Sequence, residues 1–452
     1  MAVRAHTRRR FIKSAALGTG AALAAPYIKT AHSAGSLNVG FWDHWVPGAN
    51  DVMRQLVNQW AEQNNVDLTL DFITSTGQKI LVTAAAEARA GTGHDVLAQP
   101  TWQIAVYQDQ LEPIDDVIQE LESQYGPFSE GAAYLAKLDG TWRALPTSVG
   151  SQSYCMVSRL DFWKDTAGVD LQGLFPAGER DQATQDRIAS EWTYERFLQH
   201  VNKLHAAGHA FGNPIGATSD SQDWIGPLFL SFGSTMVDAE GNVIVDSDGT
   251  RAALEYMKEL TQYMPKDVYA WDDAGNNRWL VSGQGSCIQN PPSAWTVAKR
   301  DAPDVAEQCW HHDTPAGPQG RFRGSLPYHW MIWDFAQNKT AAKDLLLWLQ
   351  QKEQMQTLVN ASQGYDLPMI PDLYVFDVWE TQGPPPGGIY NYPVRGDEKL
   401  ITAAYPAPPE VGASIYNEAL MPNMVARVTQ GGESVDDAIL WAEDELAGYL
   451  RG

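Results

Sequence analysis

The chain has 452 residues, 44% of them hydrophobic, and its 55 acidic against 32 basic side chains leave a formal charge of −23. That length supports two or three packed cores, and so acidic a surface argues against nucleic acid or an anionic membrane as a partner. Three cysteines, Cys155, Cys287 and Cys309, with no CxxC pair, exclude the common zinc and iron–sulfur spacings and allow at most one disulfide, and they read as small buried hydrophobes.

Thr7-Arg8-Arg9-Arg10-Phe11-Ile12-Lys13 is a twin-arginine pattern, followed by an apolar run from Ser14 to Ala25 and the small-residue stretch Ala31-His32-Ser33-Ala34. About a dozen apolar residues cannot span a bilayer, which needs about twenty. Residues 1–34 are therefore read as a twin-arginine signal peptide. Cleavage near Ser33 or Ala34 exposes no cysteine for lipidation, so the expected mature protein is periplasmic, monomeric and not membrane-inserted.

Alternation at Leu37, Val39 and Phe41, helical spacing from Val52 to Trp60, and alternation again from Val66 to Phe72 predict a βαβ unit. A helix from Gln78 to Arg89, a strand from Asp95 to Ala98 and an acidic-capped helix from Leu111 to Leu121 continue it. Such an order implies a largely parallel sheet with ligands at the carboxyl ends of its strands. Asp139-Gly140 is a hairpin signal, and after Pro146 the chain runs extended through Thr147, Ser148, Gly150, Ser151 and Ser153. Small hydroxyl residues there suit a crossing between two bodies with hydroxyls facing a ligand.

Beyond it, strands are expected at Tyr154 to Val157, Ser286 to Gln289 and Trp330 to Phe335. Helices are expected at Trp192 to Leu204, Thr250 to Tyr263 and Ala341 to Val359. A second linker is read at Gly317 to Gly324 and a third break at Gly364 to Pro368, and a capping box of Ser434 with Asp437 opens the last helix. There is no internal repeat, and the one biased run is Pro384-Pro385-Pro386. His311-His312-Asp313 reads as a solvated loop rather than a metal site, since no second ligand cluster supports it.

The ordered segments His94-Asp95-Val96 with Leu111-Glu112-Pro113-Ile114-Asp115, Trp192-Thr193-Tyr194-Glu195, Asn290-Pro291-Pro292-Ser293-Ala294-Trp295, Pro315-Ala316-Gly317-Pro318 with Asn338-Lys339-Thr340-Ala341-Ala342, and Met421-Pro422 to Ala438 together resemble the family 1 extracellular solute-binding proteins of sugar ABC transporters, of the maltose-binding type. The resemblance implies an α/β two-lobe periplasmic-binding-protein fold (type II), with discontinuous lobes joined by three hinge crossings: 35–147 plus 326–366, and 148–325 plus 367–452. It implies a non-enzymatic, cofactor-free carrier of a small carbohydrate or polyol that delivers its cargo to ABC permease subunits. Gln99-Pro100-Thr101-Trp102-Gln103, where the maltose-binding pattern carries an acid–arginine pair, and Gly150, where it carries a glutamate, argue against maltose itself.

A sugar needs stacking aromatics beside side chains that both donate and accept hydrogen bonds. The expected ligand set is Trp42, His44, Trp45, Gln78, Trp102, Gln103, Ser148, Ser151, Trp224 (placed in a polar loop), Asn290, Trp295, Tyr328, His329, Tyr365 and Asp366. Two other readings stay open. A glycosidase or lyase would use a carboxylate pair about 5 to 10 Å apart from Asp43, Asp95, Asp223 and Asp366, although no nucleophile or base motif accompanies them. A polyamine carrier of the same fold would call for several acids in the cleft.

Overall fold

In the computed structural model, which describes residues 35–384 and 388–451, the chain opens with β1 (Gly35–Trp42), α1 (Ala49–Asn64) and β2 (Val66–Ile73). The signal segment, Pro385 and Pro386 lie outside the described residues. Met53, Val57 and Trp60 recur on one buried face of α1, a spacing that only a helix brings to one side. α2 (Lys79–Ala90) leads to β3 (Val96–Pro100), and β1 pairs in parallel with both β2 and β3. The βαβ reading holds.

At the hairpin of β4 (Lys137–Leu138) and β5 (Thr141–Trp142), Asp139 and Gly140 take φ values of 50° and 79°, both left-handed, as a tight primed turn requires. β6 (Leu145–Ser153) follows, extended as Pro146 dictates. It pairs antiparallel with β10 (Phe322–Ile332), whose other edge pairs antiparallel with β3. The first sheet therefore runs β11-β10-β3-β1-β2 with β6 beside β10, where β11 is Lys399–Ile401. A second, three-stranded sheet has the order β8-β7-β9: Cys287–Asn290, Cys155–Arg159 and Cys309–His312. The three cysteines are buried and free.

Several expectations are corrected. Only β1, β2, β3 and the short β11 contact are parallel; β10 inverts the first sheet and the second is wholly antiparallel. The helix expected from Leu111 is Asp115–Tyr125, because Pro113 holds the chain extended while Leu111 bridges to Trp333. The stretch from Ala341 to Val359 is two helices, Lys339–Leu349 and Lys352–Ala361. Gln351 is extended (ψ 146°) between them, which turns Met355, Leu358 and Val359 onto the core. The second linker already enters β10 at Phe322. Trp224 is not in a loop: it lies buried inside α3 (Ser219–Ser231), where the Thr218 hydroxyl accepts the Ser221 N–H at 3.1 Å and caps the first turn. His311 and His312 are not solvated; both are fully buried in β9.

Burial holds the pKa of His311, His312 and His329 down at about 3, so all three fold as neutral rings. A histidine whose folded value lies below its unfolded value of about 6.5 contributes its full stability above pH 6.5 and loses it as the pH falls towards 3. Each should cost about 2 kcal/mol between pH 6.5 and 5. His311 has no hydrogen-bond partner at either ring nitrogen and meets Trp295 and Tyr390 edge-on. In urea titrations across that range, His311→Phe should lose about 2 kcal/mol less stability than the unsubstituted chain.

Candidate functional site

Three chain segments far apart in sequence meet at one carboxylate. Asp366 Oδ1 accepts the Gly150 N–H at 2.8 Å and contacts His44 Nε2 at 3.0 Å. The Val46 N–H donates to His44 Nδ1 at 2.9 Å, so Nδ1 is an acceptor and the proton sits on Nε2, facing Asp366. Leu367 N–H adds a 3.0 Å bond to the Ser151 carbonyl, so the 365–367 segment runs against β6. The carboxyl end of β1, the crossing strand β6 and the segment at 365–367 are thus clamped together.

On this clamp stands an aromatic wall. The Trp42 ring lies 5.1 Å from Tyr328 and 6.1 Å from Tyr365, while His44 meets Tyr365 edge-on at 5.0 Å. Gly150 makes the wall fit. A Cβ there would sit 2.8 Å from Tyr328 Cγ and 3.1 Å from Trp42 Cε3, and its φ of +86° disfavours any side chain.

Opposite the wall is a buried polar network. Tyr154 donates to Asp220 Oδ1 at 3.0 Å, and Asn276 Nδ2 donates to Asp220 Oδ2 at 2.7 Å and to Asn290 Oδ1 at 3.0 Å. Asn290 in turn donates to Asn277 at 2.6 Å and to Ser293 at 3.1 Å. Asp273 Oδ1 receives the Asp220 N–H at 3.1 Å and the Ser219 hydroxyl at 3.2 Å, and Tyr416 donates to Asp223 Oδ2 at 2.8 Å. Burial, reinforced by the neighbouring aspartates, pushes the Asp220 and Asp223 carboxyls well above their usual range, and burial raises that of Asp273. The same charges reach across to the wall. After burial, Asp273 and Asp223 are what raise the Tyr328 phenol, and Asp220 contributes at Tyr365.

Of the residues expected from sequence, Trp42, His44, Tyr328, Tyr365 and Asp366 meet at the wall and Asn290 in the network. Trp45 is half-buried beside the first core, and Gln78 is exposed in a left-handed turn before α2. Ser151 serves the strands, donating to the Thr147 carbonyl and accepting the Tyr328 N–H at 2.8 Å, while Ser148 and His329 are buried in the sheet. Trp102 donates to the Ala403 carbonyl at 2.8 Å and Gln103 to Asn417 at 2.6 Å, bracing α3's neighbour Pro409–Asn417 against the first sheet. Trp224 and Trp295 lie in separate cores. Sequence reasoning missed Asp220, Asp273, Asn276, Tyr154, Tyr416 and Gln152. The polar run from Thr218 to Asp223 at a helix start carried the only signal for Asp220. Asp95, a carboxylate offered for catalysis, is taken up by the Asn38 and Gln337 N–H groups at 2.8 and 3.0 Å.

The opposite face of the crossing strands, at Ser153, Ser325 and Pro327, borders a cavity of about 1020 Å³. Its walls include prolines and aromatics such as Phe322, Tyr374 and Trp379 beside Arg395 and Lys399, and its acids, Glu130 and Glu380, are exposed. None of the expected ligand residues lines it. The convergent, buried hydrogen-bonding groups lie on the Trp42 face, which is the candidate site.

The sequence model of the bacterial extracellular solute-binding proteins matches residues 55–382. The chain belongs to that family. No curated protein matches it by sequence. Among solved structures, maltose-bound MalE3 of T. maritima aligns with a TM-score of 0.69 at 18% identity, over 92% of this chain and 99% of that one. A sugar transporter protein of Arthrobacter chlorophenolicus A6 with bound laminaribiose gives 0.70 at 16%, over 92% and 99%. A solute-binding protein of Thermotoga lettingae TMO bound with α-D-tagatose gives 0.70 at 14%, over 92% and 100%. The fold is thus the two-lobe α/β fold of these binding proteins, its discontinuous lobes joined by three crossings. Among the described residues no helix is long and apolar enough to cross a membrane.

In this binding protein the crossing glycine carries a specific expectation. Gly150→Ala should cost about 1–3 kcal/mol through backbone strain and displacement of the Tyr328 ring. Urea unfolding and near-ultraviolet circular dichroism would check both effects, and unchanged stability would contradict the packing described.

Proposed function

We propose that this solute-binding protein captures a small carbohydrate or polyol between its lobes and passes it to ABC permease subunits. The observation that carries the reading is the aromatic wall of Trp42, Tyr328 and Tyr365 set against amide, hydroxyl and carboxylate groups. Apolar ring faces and dense hydroxyl rims call for that pairing. The relatives with bound maltose, laminaribiose and tagatose favour it.

The lobes are taken as 35–147 plus 326–366 and 148–325 plus 367–452. Trp42, Tyr328, Tyr365, Asp220 and Asn290 are all buried, so a ligand reaches them only when the lobes part. Binding then shifts an open–closed equilibrium, the closed form being the one presented to the permease. Export by the twin-arginine route to the periplasm, action as a monomer and the absence of catalysis complete the reading. Its carboxylates are engaged with amides, phenols and backbone N–H groups rather than placed as an acid–base pair.

A panel of mono- and oligosaccharides and polyols should raise the melting temperature of the purified chain for at least one member. Tyr328→Ala and Trp42→Ala should each weaken that ligand tenfold or more in titration calorimetry, since each removes a stacking face worth about 1 kcal/mol or more. A shift produced only by amino acids or peptides would overturn the carbohydrate assignment.

A further inference from the structure

We infer that the ligand is a hydroxylated compound carrying a protonated amine, such as an amino sugar, held with its ammonium between the Asp220–Asp223–Asp273 carboxylates and the aromatic wall. The inference rests on the carbohydrate reading above and narrows it. Three carboxylates share this end of the site, and among the described residues no lysine, arginine or histidine forms an ion pair with any of them. Asp272, their nearest acidic neighbour in sequence, is paired instead with the exposed Arg278 at 2.7 Å.

The protein supplies donors to only part of this acceptor capacity. Asp223 is fully buried and its Oδ1 has no hydrogen-bond partner. Independently, Gln152, 6% exposed, lends its amide nitrogen to the Tyr154 hydroxyl that binds Asp220, and leaves its own Oε1 without a donor. A buried acceptor with nothing to accept is unfavourable, so two at one place, beside carboxylates that have hydrogen-bond donors but no cation, point to a ligand that brings donors. A sugar hydroxyl both donates and accepts; an ammonium only donates, and it also cancels charge.

The facing groups fit the same guest. Trp42, Tyr328 and Tyr365 present rings rather than cations, and a desolvated ammonium is attracted to such faces. The titratable groups around the cluster are Tyr154 and Asp272 at Asp220, Tyr416 at Asp223, and Tyr328 at Asp273. All are neutral or acidic.

The raised carboxyls set the sign of the pH dependence. A folded value above the unfolded one leaves the unliganded protein stable at low pH and strained as pH rises through the folded value. Asp273→Asn keeps the Oδ1 acceptor used by Ser219 and the Asp220 N–H. It should therefore raise the melting temperature of the unliganded chain at pH 8 and leave it unchanged at pH 4.

The test uses the purified full chain in titration calorimetry at pH 6.5, with matched pairs: glucosamine and glucose, galactosamine and galactose, and the chitosan disaccharide and cellobiose, plus spermidine. The expected result is at least a tenfold preference for the amine member of one pair, with that preference abolished in Asp273→Asn. No preference in any pair, or a preference that survives Asp273→Asn, would overturn the inference. A neutral sugar bound as tightly as its amine would do so while leaving the carbohydrate reading intact. Spermidine bound in the absence of any sugar would overturn the carbohydrate reading as well.

Discussion

A single carboxylate, that of Asp366, holds the site together. It bonds the backbone of Gly150, 216 positions earlier, and the ring of His44, 322 positions earlier. Each such hydrogen bond contributes about 0.5–1.5 kcal/mol. More important is what they align: the strand tip that carries Trp42, the strand that crosses from the first sheet towards the second, and the segment that carries Tyr365. With those fixed, the aromatic wall has one arrangement, and Gly150 is the residue small enough to let its rings close on the strand.

The wall and the polar network belong to different parts of the chain, and that division is the basis of the proposed binding cycle. Trp42 and Tyr328 rise from the first sheet, whereas Asp220, Asp223, Asn276 and Asn290 are presented by α3, the helix Gly275–Val281 and β8 beside the second sheet. A guest touching both halves gains contacts only when they are together, which is the differential interaction a population shift requires. On the proposed reading, burying three carboxylates strains the unliganded closed form, so that the charge cluster selects the guest and favours opening without it.

Much of the fold was legible in the sequence. The βαβ start, the Asp139-Gly140 hairpin, the extended run after Pro146 and the Ser434 cap are each encoded by local spacing or backbone preference. Breaks are read near 317–324 and 364–368; the first leads into β10, and the second lies between Lys352–Ala361 and a segment whose Leu367, Met369 and Ile370 pack into the same core. Half of the site was legible as well: tryptophan and tyrosine at strand tips belong at a ligand by position. The other half was not. Asp220 and Asp223 look like solvated acids at a helix start, as most such residues are, and nothing local tells that α3 is buried over nearly its whole length.

The sequence by itself determined the class of fold, the extended run after Pro146 and the aromatic character of the candidate site, because these follow from periodicity, proline and glycine stereochemistry and residue type. Tertiary structure alone decided which tryptophans reach the candidate site, sending Trp102, Trp224 and Trp295 into packing and leaving Trp42 in the aromatic wall. It also decided which acids stand without a cation. Both depend on contacts between residues hundreds of positions apart, and burial, which sets a carboxylate's energy and its need for a partner, is a property of the assembled neighbourhood and not of any local stretch.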